Sequence, residues 1–504
     1  MLTLKTLNLK KSILFWIGLL LTTFFFTAFS HIPAIASTPK HYTDLTFPPL
    51  PTIELPDYER YQLDNGIIVY LVEDHELPLV GGSALFRTGD RFEPADKVGL
   101  ASITAEVMRN GGTRQNSGDE LNQLLEQKAA SVEVGISTTS GSVGFSGLTE
   151  DLDLVFGLFT DVIRNPLFPQ DQLDLAKTQA KGGIARRNDN PGDIASREFV
   201  KLIYGVDSPY ARITEYSTLK NISRESLVDF YEKYFHPETM ILGIVGDFDR
   251  AKMKALIEQK LGDWKPSQKA VIPPLPAVSQ ANLGGIFFVD QPQLTQSYVE
   301  MGHLGGLFSD PDYPKLAVMN GVLNEFGGRL FNNLRSRQGL AYSVYGYWGA
   351  SYDYPGVFNA GGQTRSETTV PLIQGLKNEI ERLKKEPIKS EELTYAKEST
   401  LNSFIFKFED PAQTLSRLMQ YEYYGYPKDF IFDYQRQVQA TTIEDVQQVA
   451  KQYLNFDKLV ILVVGNKALI NPALSSLDNQ SKVTTIDVSL QNPRCFGISY
   501  LSNL

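Results

Sequence analysis

The chain repeats itself, and that limits its possible folds more than any other feature. Residues 234–246 read Tyr-Phe-His-Pro-Glu-Thr-Met-Ile-Leu-Gly-Ile-Val-Gly, and residues 453–465, 219 positions on, read Tyr-Leu-Asn-Phe-Asp-Lys-Leu-Val-Ile-Leu-Val-Val-Gly. Both spell a helix end, a short turn and a buried strand closed by glycine. The preceding helices match at the same offset, Glu225 with Glu444, Leu227 with Val446 and Phe230 with Val449. Upstream, Leu173-Asp-Leu-Ala-Lys177 matches Leu393-Thr-Tyr-Ala-Lys397 at an offset of 220. Two matches at nearly one offset argue for an internal duplication. Between the copies, residues 265–284 hold Pro266, Pro273, Pro274 and Pro276, which can continue neither a helix nor a central strand. The expectation is two related halves, 57–264 and 285–490, joined by a linker over 265–284. Residues 491–504 form a tail with no counterpart after the first copy.

Within the first copy, residues 61–73 read as a hairpin around Asp64-Asn65-Gly66. Residues 79–87 continue as strand. Helical spacing follows over 98–109, through Leu100, Ile103 and Val107. Ser117 and Glu120 predict a capping box for a helix over 120–130. Residues 131–148 read as two strands, Thr149 as the cap of a helix to Ile163, and Pro169 and Pro191 as the starts of further helices. This order lacks the strict βαβ alternation of a parallel sheet. It fits an α+β layer: a mostly antiparallel sheet covered by helices on one face.

The first 36 residues read as a secretion signal. Lys5, Lys10 and Lys11 precede an uncharged apolar run over 13–29, and Ala34-Ile35-Ala36 before Ser37 is a small-x-small cleavage pattern. The expected cut lies between Ala36 and Ser37. The alternative is an uncleaved membrane anchor, because the run nearly reaches the ~20 residues that span a bilayer. Either way the bulk of the chain is expected to be exported, to a periplasm or beyond. Residues 37–56 are proline-rich and read as an extended lead-in. The formal net charge is -10, with no Lys/Arg block, which argues against a nucleic-acid partner. The single cysteine, Cys495, excludes an intrachain disulfide and any Cys-rich metal site.

Gly99-Leu-Ala-Ser-Ile-Thr-Ala-Glu-Val-Met108, followed by Gly112-Thr113, resembles the active-site helix of the insulinase/pitrilysin family, which includes the mitochondrial processing peptidases. The resemblance extends over nearly the whole chain after the signal: residues 57–66, Arg164-Asn-Pro-Leu-Phe168, the Tyr-Phe-x-Pro entry at Tyr234, and residues 331–342. It implies two homologous α/β-roll halves that clasp a peptide. Catalytic members carry His-x-x-Glu-His, in which two imidazoles one turn apart bind zinc and the Glu activates a water. Read onto this chain, the first His position holds Ser102, the Glu position Ala105 and the second His position Glu106. The family's third ligand, a Glu further on, falls at Gly182 and Gly183. The resemblance therefore implies a degenerate zinc motif with no metal held by this chain. Glu106 is expected to be an exposed helix carboxylate.

In the second half, the resemblance places Arg335 and Tyr342 where the family carries an Arg/Tyr pair that contacts substrate. A guanidinium fork and a phenol are apt donors to a peptide carbonyl and to the oxyanion it becomes. Periodicity predicts a helix over about 313–335, ended at Gly339, with Tyr342 on the next strand and Gly327-Gly328 as a turn before Arg335. Two tyrosine clusters, 345–354 and 421–426, read mainly as packing, with some rings available to line a peptide cleft. The resulting expectation is the zinc-lacking subunit of a heterodimeric endopeptidase. It would supply Arg335 and Tyr342 to a zinc-bearing homologous partner and hold a peptide or unfolded-protein substrate by strand addition. The alternative is a catalytically inactive binding or scaffold protein.

Overall fold

The computed structural model describes residues 52–265, 269–270, 272–324, 327–478 and 482–490. The expected signal segment with Ala36 and Ser37, the start of the expected lead-in, and the tail with Cys495 lie outside the described residues. The described residues form one compact unit.

In the first half, β1 (Tyr58–Gln62) and β2 (Ile68–Glu73) pair antiparallel across the expected turn. Then come β3 (Leu79–Phe86), α1 (Leu100–Asn110), α2 (Gly118–Gln127), β4 (Ser131–Ile136) and β5 (Gly141–Leu148). Next are α3 (Leu152–Arg164), α4 (Gln170–Arg186), α5 (Pro191–Tyr204), α6 (Tyr216–Asn221), α7 (Arg224–Tyr234), β6 (Met240–Gly246) and α8 (Arg250–Leu261). The Ser117–Glu120 capping box is formed in both directions. Thr149 does not cap α3: it opens a short 3₁₀ turn, and the helix starts at Leu152.

The second half contains β7 (Gly285–Asp290), β8 (Gln296–Leu304), β9 (Gly306–Leu307), α9 (Tyr313–Leu323), β10 (Ser343–Trp348), β11 (Ala350–Ser351) and β12 (Val357–Arg365). It continues with α10 (Thr369–Lys385), α11 (Ser390–Ile405), α12 (Pro411–Tyr424), α13 (Phe430–Ala440), α14 (Ile443–Tyr453), β13 (Val460–Gly465) and β14 (Val483–Thr485).

Two six-stranded sheets result, ordered β1-β2-β6-β3-β5-β4 and β10-β12-β8-β13-β7-β14. Read from the other edge, the second sheet runs β7-β13-β8-β12-β10, with the same pairing senses as β2-β6-β3-β5-β4. The sixth strand differs. β1 is an antiparallel hairpin neighbour of β2, whereas β14 returns from the chain's far end to pair parallel with β7.

Helices cover one face of each sheet, as expected, but the other face is not left to solvent. α12 of the second half packs on β6 and β2, and α5 of the first half packs on β8 and β13. These two helices are equivalent: Asn190-Pro191 and Asp410-Pro411 start them at the repeat offset, each with the first residue's side chain as N-cap and Pro at the first turn. β13 shows why a partner is needed on both faces, since all six residues of Val460–Gly465 are buried. Val460, Leu462 and Val464 cluster with Ile194, Phe199 and Ile203 of α5, while Ile461 and Val463 face the helices of their own half. Gly243 lets α12 approach: a Cβ there would run into the Met419 sulfur. The linker is likewise no free tether, because Tyr210 Oη donates to the Pro276 carbonyl at 3.3 Å and Asn282 Nδ2 to that of Leu202 at 2.7 Å.

Polar contacts complete the junction. Glu422 accepts from Arg60 Nε at 3.1 Å, Arg60 Nη2 at 2.9 Å and Tyr70 Oη at 2.7 Å. Buried Arg91 pairs with Asp353 at 2.9 Å. Tyr423 Oη donates to the Thr139 carbonyl at 2.6 Å, and Tyr354 stacks on Tyr210 with centroids 4.3 Å apart. Most of the two tyrosine clusters is thus spent joining or filling the halves. Tyr345 and Tyr347, on β10, stand apart from that junction.

Candidate functional site

The two positions singled out by sequence lie beside equivalent edge strands, β4 and β10. α1 packs along β4 and against α4, which carries Gly182 and Gly183. Its first turn is held by a carboxylate that the sequence reading did not single out. Glu93 accepts the backbone N–H of Gly99 at 3.0 Å and of Ala101 at 2.5 Å, and burial pushes its pKa up to about 7. No N-cap pattern flags it, since it sits six residues before the N-cap Gly99.

Along α1, Ser102 is exposed and its hydroxyl donates to the Gly99 carbonyl at 3.1 Å. Ala105 is buried. Glu106 is half-buried rather than exposed, and burial raises its pKa above the ordinary carboxylate value. The sequence reading put it on the solvent face; the packing of α1 against its neighbours covers part of it. Gly183 faces open space, with nothing within 4 Å of an added Cβ. These groups do not fit zinc: one hydroxyl is already bonded to backbone, one carboxylate remains, and no imidazole joins them. Among the described residues no cluster of three or more His, Cys, Asp or Glu could hold a metal ion.

The second half differs. The expected helix over 313–335 is broken: α9 ends at Leu323, and residues Phe331–Arg337 form a π-helical turn. A Cβ on Gly328 would collide with the Asn324 carbonyl, so the chain turns there on glycine. Asn324 leaves the helix pattern to bond β10, donating to the Gly346 carbonyl at 2.6 Å and accepting its N–H at 2.9 Å. Asn320 does the same at Trp348, at 3.0 and 2.7 Å. β10 is therefore an edge strand partly closed by side-chain amides, whereas β4 has β5 as its one partner strand among the described residues.

The π-turn presents Arg335. Buried Leu334 anchors the turn, Gly339 (φ +61) reverses the chain, and the Tyr342 N–H donates to the Gln363 carbonyl at 2.9 Å. Arg335 and Tyr342 are brought together: the guanidinium carbon lies 5.7 Å from the Tyr342 ring centroid and 4.7 Å from that of Phe331. Tyr342 is 74% exposed, one residue before β10 rather than on it. Sequence reading missed Phe331, although its place four residues before Arg335 put it within reach. π-turns recur at functional sites, where the extra residue re-aims a side chain.

A family model described as insulinase (peptidase family M16) matches residues 71–206, and one described as peptidase M16 inactive domain matches residues 221–400. The chain belongs to the insulinase family. The non-peptidase homolog YmxG of Helicobacter pylori is 25% identical over 403 residues, 78% of this chain and 91% of that protein. The uncharacterized zinc protease YmxG of Bacillus subtilis is 23% identical over 407 residues, 80% of this chain and 98% of that protein. The crystal structure of a peptidase M16 inactive domain from Pseudomonas fluorescens superposes with a TM-score of 0.74 at 25% identity, covering 83% of this chain and all of that one. At the positions where the resemblance puts the family's ligands, this chain has Ser102, Ala105, Glu106 and Gly183, which form no three-residue metal-holding group among the described residues. What its second half can do is donate hydrogen bonds to a carbonyl or an oxyanion.

Proposed function

We propose that this chain is the exported, zinc-lacking member of a two-subunit peptidase, contributing Arg335 and Tyr342 to the active site of a zinc-bearing homologous partner. The observation that carries this reading is Arg335. Its guanidinium meets two aromatic rings and has no carboxylate or carbonyl partner among the described residues, beside an exposed phenol. An exposed guanidinium with no such partner is a donor available to an incoming acceptor. β4, with one edge unpaired, is the strand onto which an extended peptide would add, its backbone groups taking the hydrogen bonds that a neighbouring strand would make. The zinc and the general base belong to the partner. Export rests on the N-terminal 36 residues, and membrane attachment follows only if that segment is retained.

The test is reconstitution with an M16 homologue from the same organism that retains His-x-x-Glu-His. Loss of an oxyanion donor typically costs about 10²–10³ in kcat. Tyr342→Phe and Arg335→Ala are each expected to lose that much with little change in KM and an unchanged circular dichroism spectrum. Wild-type kcat in both variants would remove the catalytic assignment. That outcome would favour the second reading, a peptide-binding pseudo-peptidase, which the replaced ligands at 102, 105, 106 and 183 support on their own.

A further inference from the structure

A groove of about 840 Å³ opens where the end of the first sheet meets the start of α12. It involves none of the degenerate motif positions and neither Arg335 nor Tyr342. Its floor is backbone, because Gly81, Gly147 and Gly246 put no side chain into it. Its walls are apolar and unusually exposed: Phe406 is 61%, Leu77 60% and Leu79 49% accessible.

Its charge is of one sign. Every charged side chain that lines the groove is acidic: Asp74, Glu76, Glu409 and Asp410. None of the four is in an ion pair among the described residues. Asp410 also caps α12, accepting from the Ala412 N–H at 2.7 Å and the Gln413 N–H at 3.1 Å, so this helix start is already supplied with an anion. The groove thus repels anions and offers large apolar side chains that no described residue covers. Its volume lies within the ~300–1,000 Å³ of ordinary binding clefts.

We propose that this groove binds a basic, apolar segment of another polypeptide. Leucine-sized side chains would seat on Leu77, Leu79 and Phe406, and Lys or Arg side chains would meet Glu76, Asp74 and Glu409. The inference goes beyond the Arg335–Tyr342 reading and does not depend on it, since the groove belongs to this chain alone.

The experiment uses the chain without its signal segment and without any partner subunit. The probe is a fluorescein-labelled ten-residue peptide of alternating leucine and arginine, read by fluorescence anisotropy. Two further probes replace arginine by glutamate or leucine by serine. The Leu/Arg peptide is expected to bind at least about tenfold more tightly than either, and more weakly as salt rises. The double variant Glu76→Gln/Glu409→Gln and the single Phe406→Ser alter exposed groups, and each is expected to weaken binding by about fivefold to tenfold. Arg335→Ala should leave it unchanged, which separates this result from the fate of the active-site proposal. Absence of binding, equal affinity for the three peptides, or unchanged affinity in both groove variants would overturn the proposal.

Discussion

The two halves share five strands in the same order and pairing, yet treat their equivalent edges in opposite ways. In the first half the backbone edge is open and the side chains beside it are inert. β4 has no outer strand among the described residues, while Ser102 is tied to Gly99, Ala105 is buried and Gly183 is bare. In the second half the backbone edge is partly closed and two side chains beside it are exposed. Asn320 and Asn324 bond β10, while Arg335 and Tyr342 stand exposed beside it. One five-stranded architecture therefore carries two different edges: the first half leaves a strand edge without a partner strand among the described residues, and the second leaves hydrogen-bond donors exposed.

The largest expected effect tests whether the first half is only missing side chains. Ser102→His/Ala105→Glu/Glu106→His should retain no stoichiometric zinc, because a third protein ligand is absent. Adding Gly183→Glu, into the open space there, should bring elemental analysis to about one zinc per chain. A metal-free quadruple variant would break the comparison, since the scaffold itself would then have drifted. Next, against the 10²–10³ loss expected at Arg335 or Tyr342, Ser102→Ala and Glu106→Gln should change the reconstituted kcat by less than about twofold. A comparable loss would return catalytic weight to α1.

Glu93 sharpens the same contrast through pH. Its folded pKa of about 7 lies above the ordinary 4.5, so the folded state favours the protonated form. The stability it contributes is complete below pH 4.5 and is lost as pH rises through 7. At about 1.4 kcal/mol per unit, the loss between pH 4.5 and 7.5 is about 3 kcal/mol. Denaturant unfolding of Glu93→Gln should show that portion of the slope removed, with no comparable effect from substitutions around the π-turn. A smaller pair concerns glycines. Gly243→Ala should cost about 1–3 kcal/mol by pushing α12 off the sheet. Gly182→Ala, unobstructed within a helix, should gain about 0.5–1 kcal/mol. Thermal melts of both would check the signs.

Much of the fold was legible because duplication and turn chemistry are local. The Asn65-Gly66 hairpin, the Ser117–Glu120 box and the β6/β13 repeat all declare themselves over a few residues. So did the pairing of Arg335 with Tyr342, given the family resemblance. What stayed hidden depends on partners far away in sequence. The half-burial of Glu106 is set by helix packing, Glu93 caps from outside any cap pattern, and the break at Asn324 is driven by an amide that prefers β10 to its own helix. The tyrosines of 421–426 read as ordinary aromatics until residues such as Thr139 appear beside them.

The exchanged helices also bear on how such a chain reaches its folded state. Tyr70 waits for Glu422, 352 positions later, and the far face of the first sheet waits with it. Neither half can finish alone, so a fragment ending in the linker should be insoluble rather than a smaller working protein. During synthesis, a long nascent stretch must wait with an unfinished apolar surface. Contacts this distant make for slow folding and exposure to aggregation, which gives the cell a reason to escort this chain until its last third has arrived.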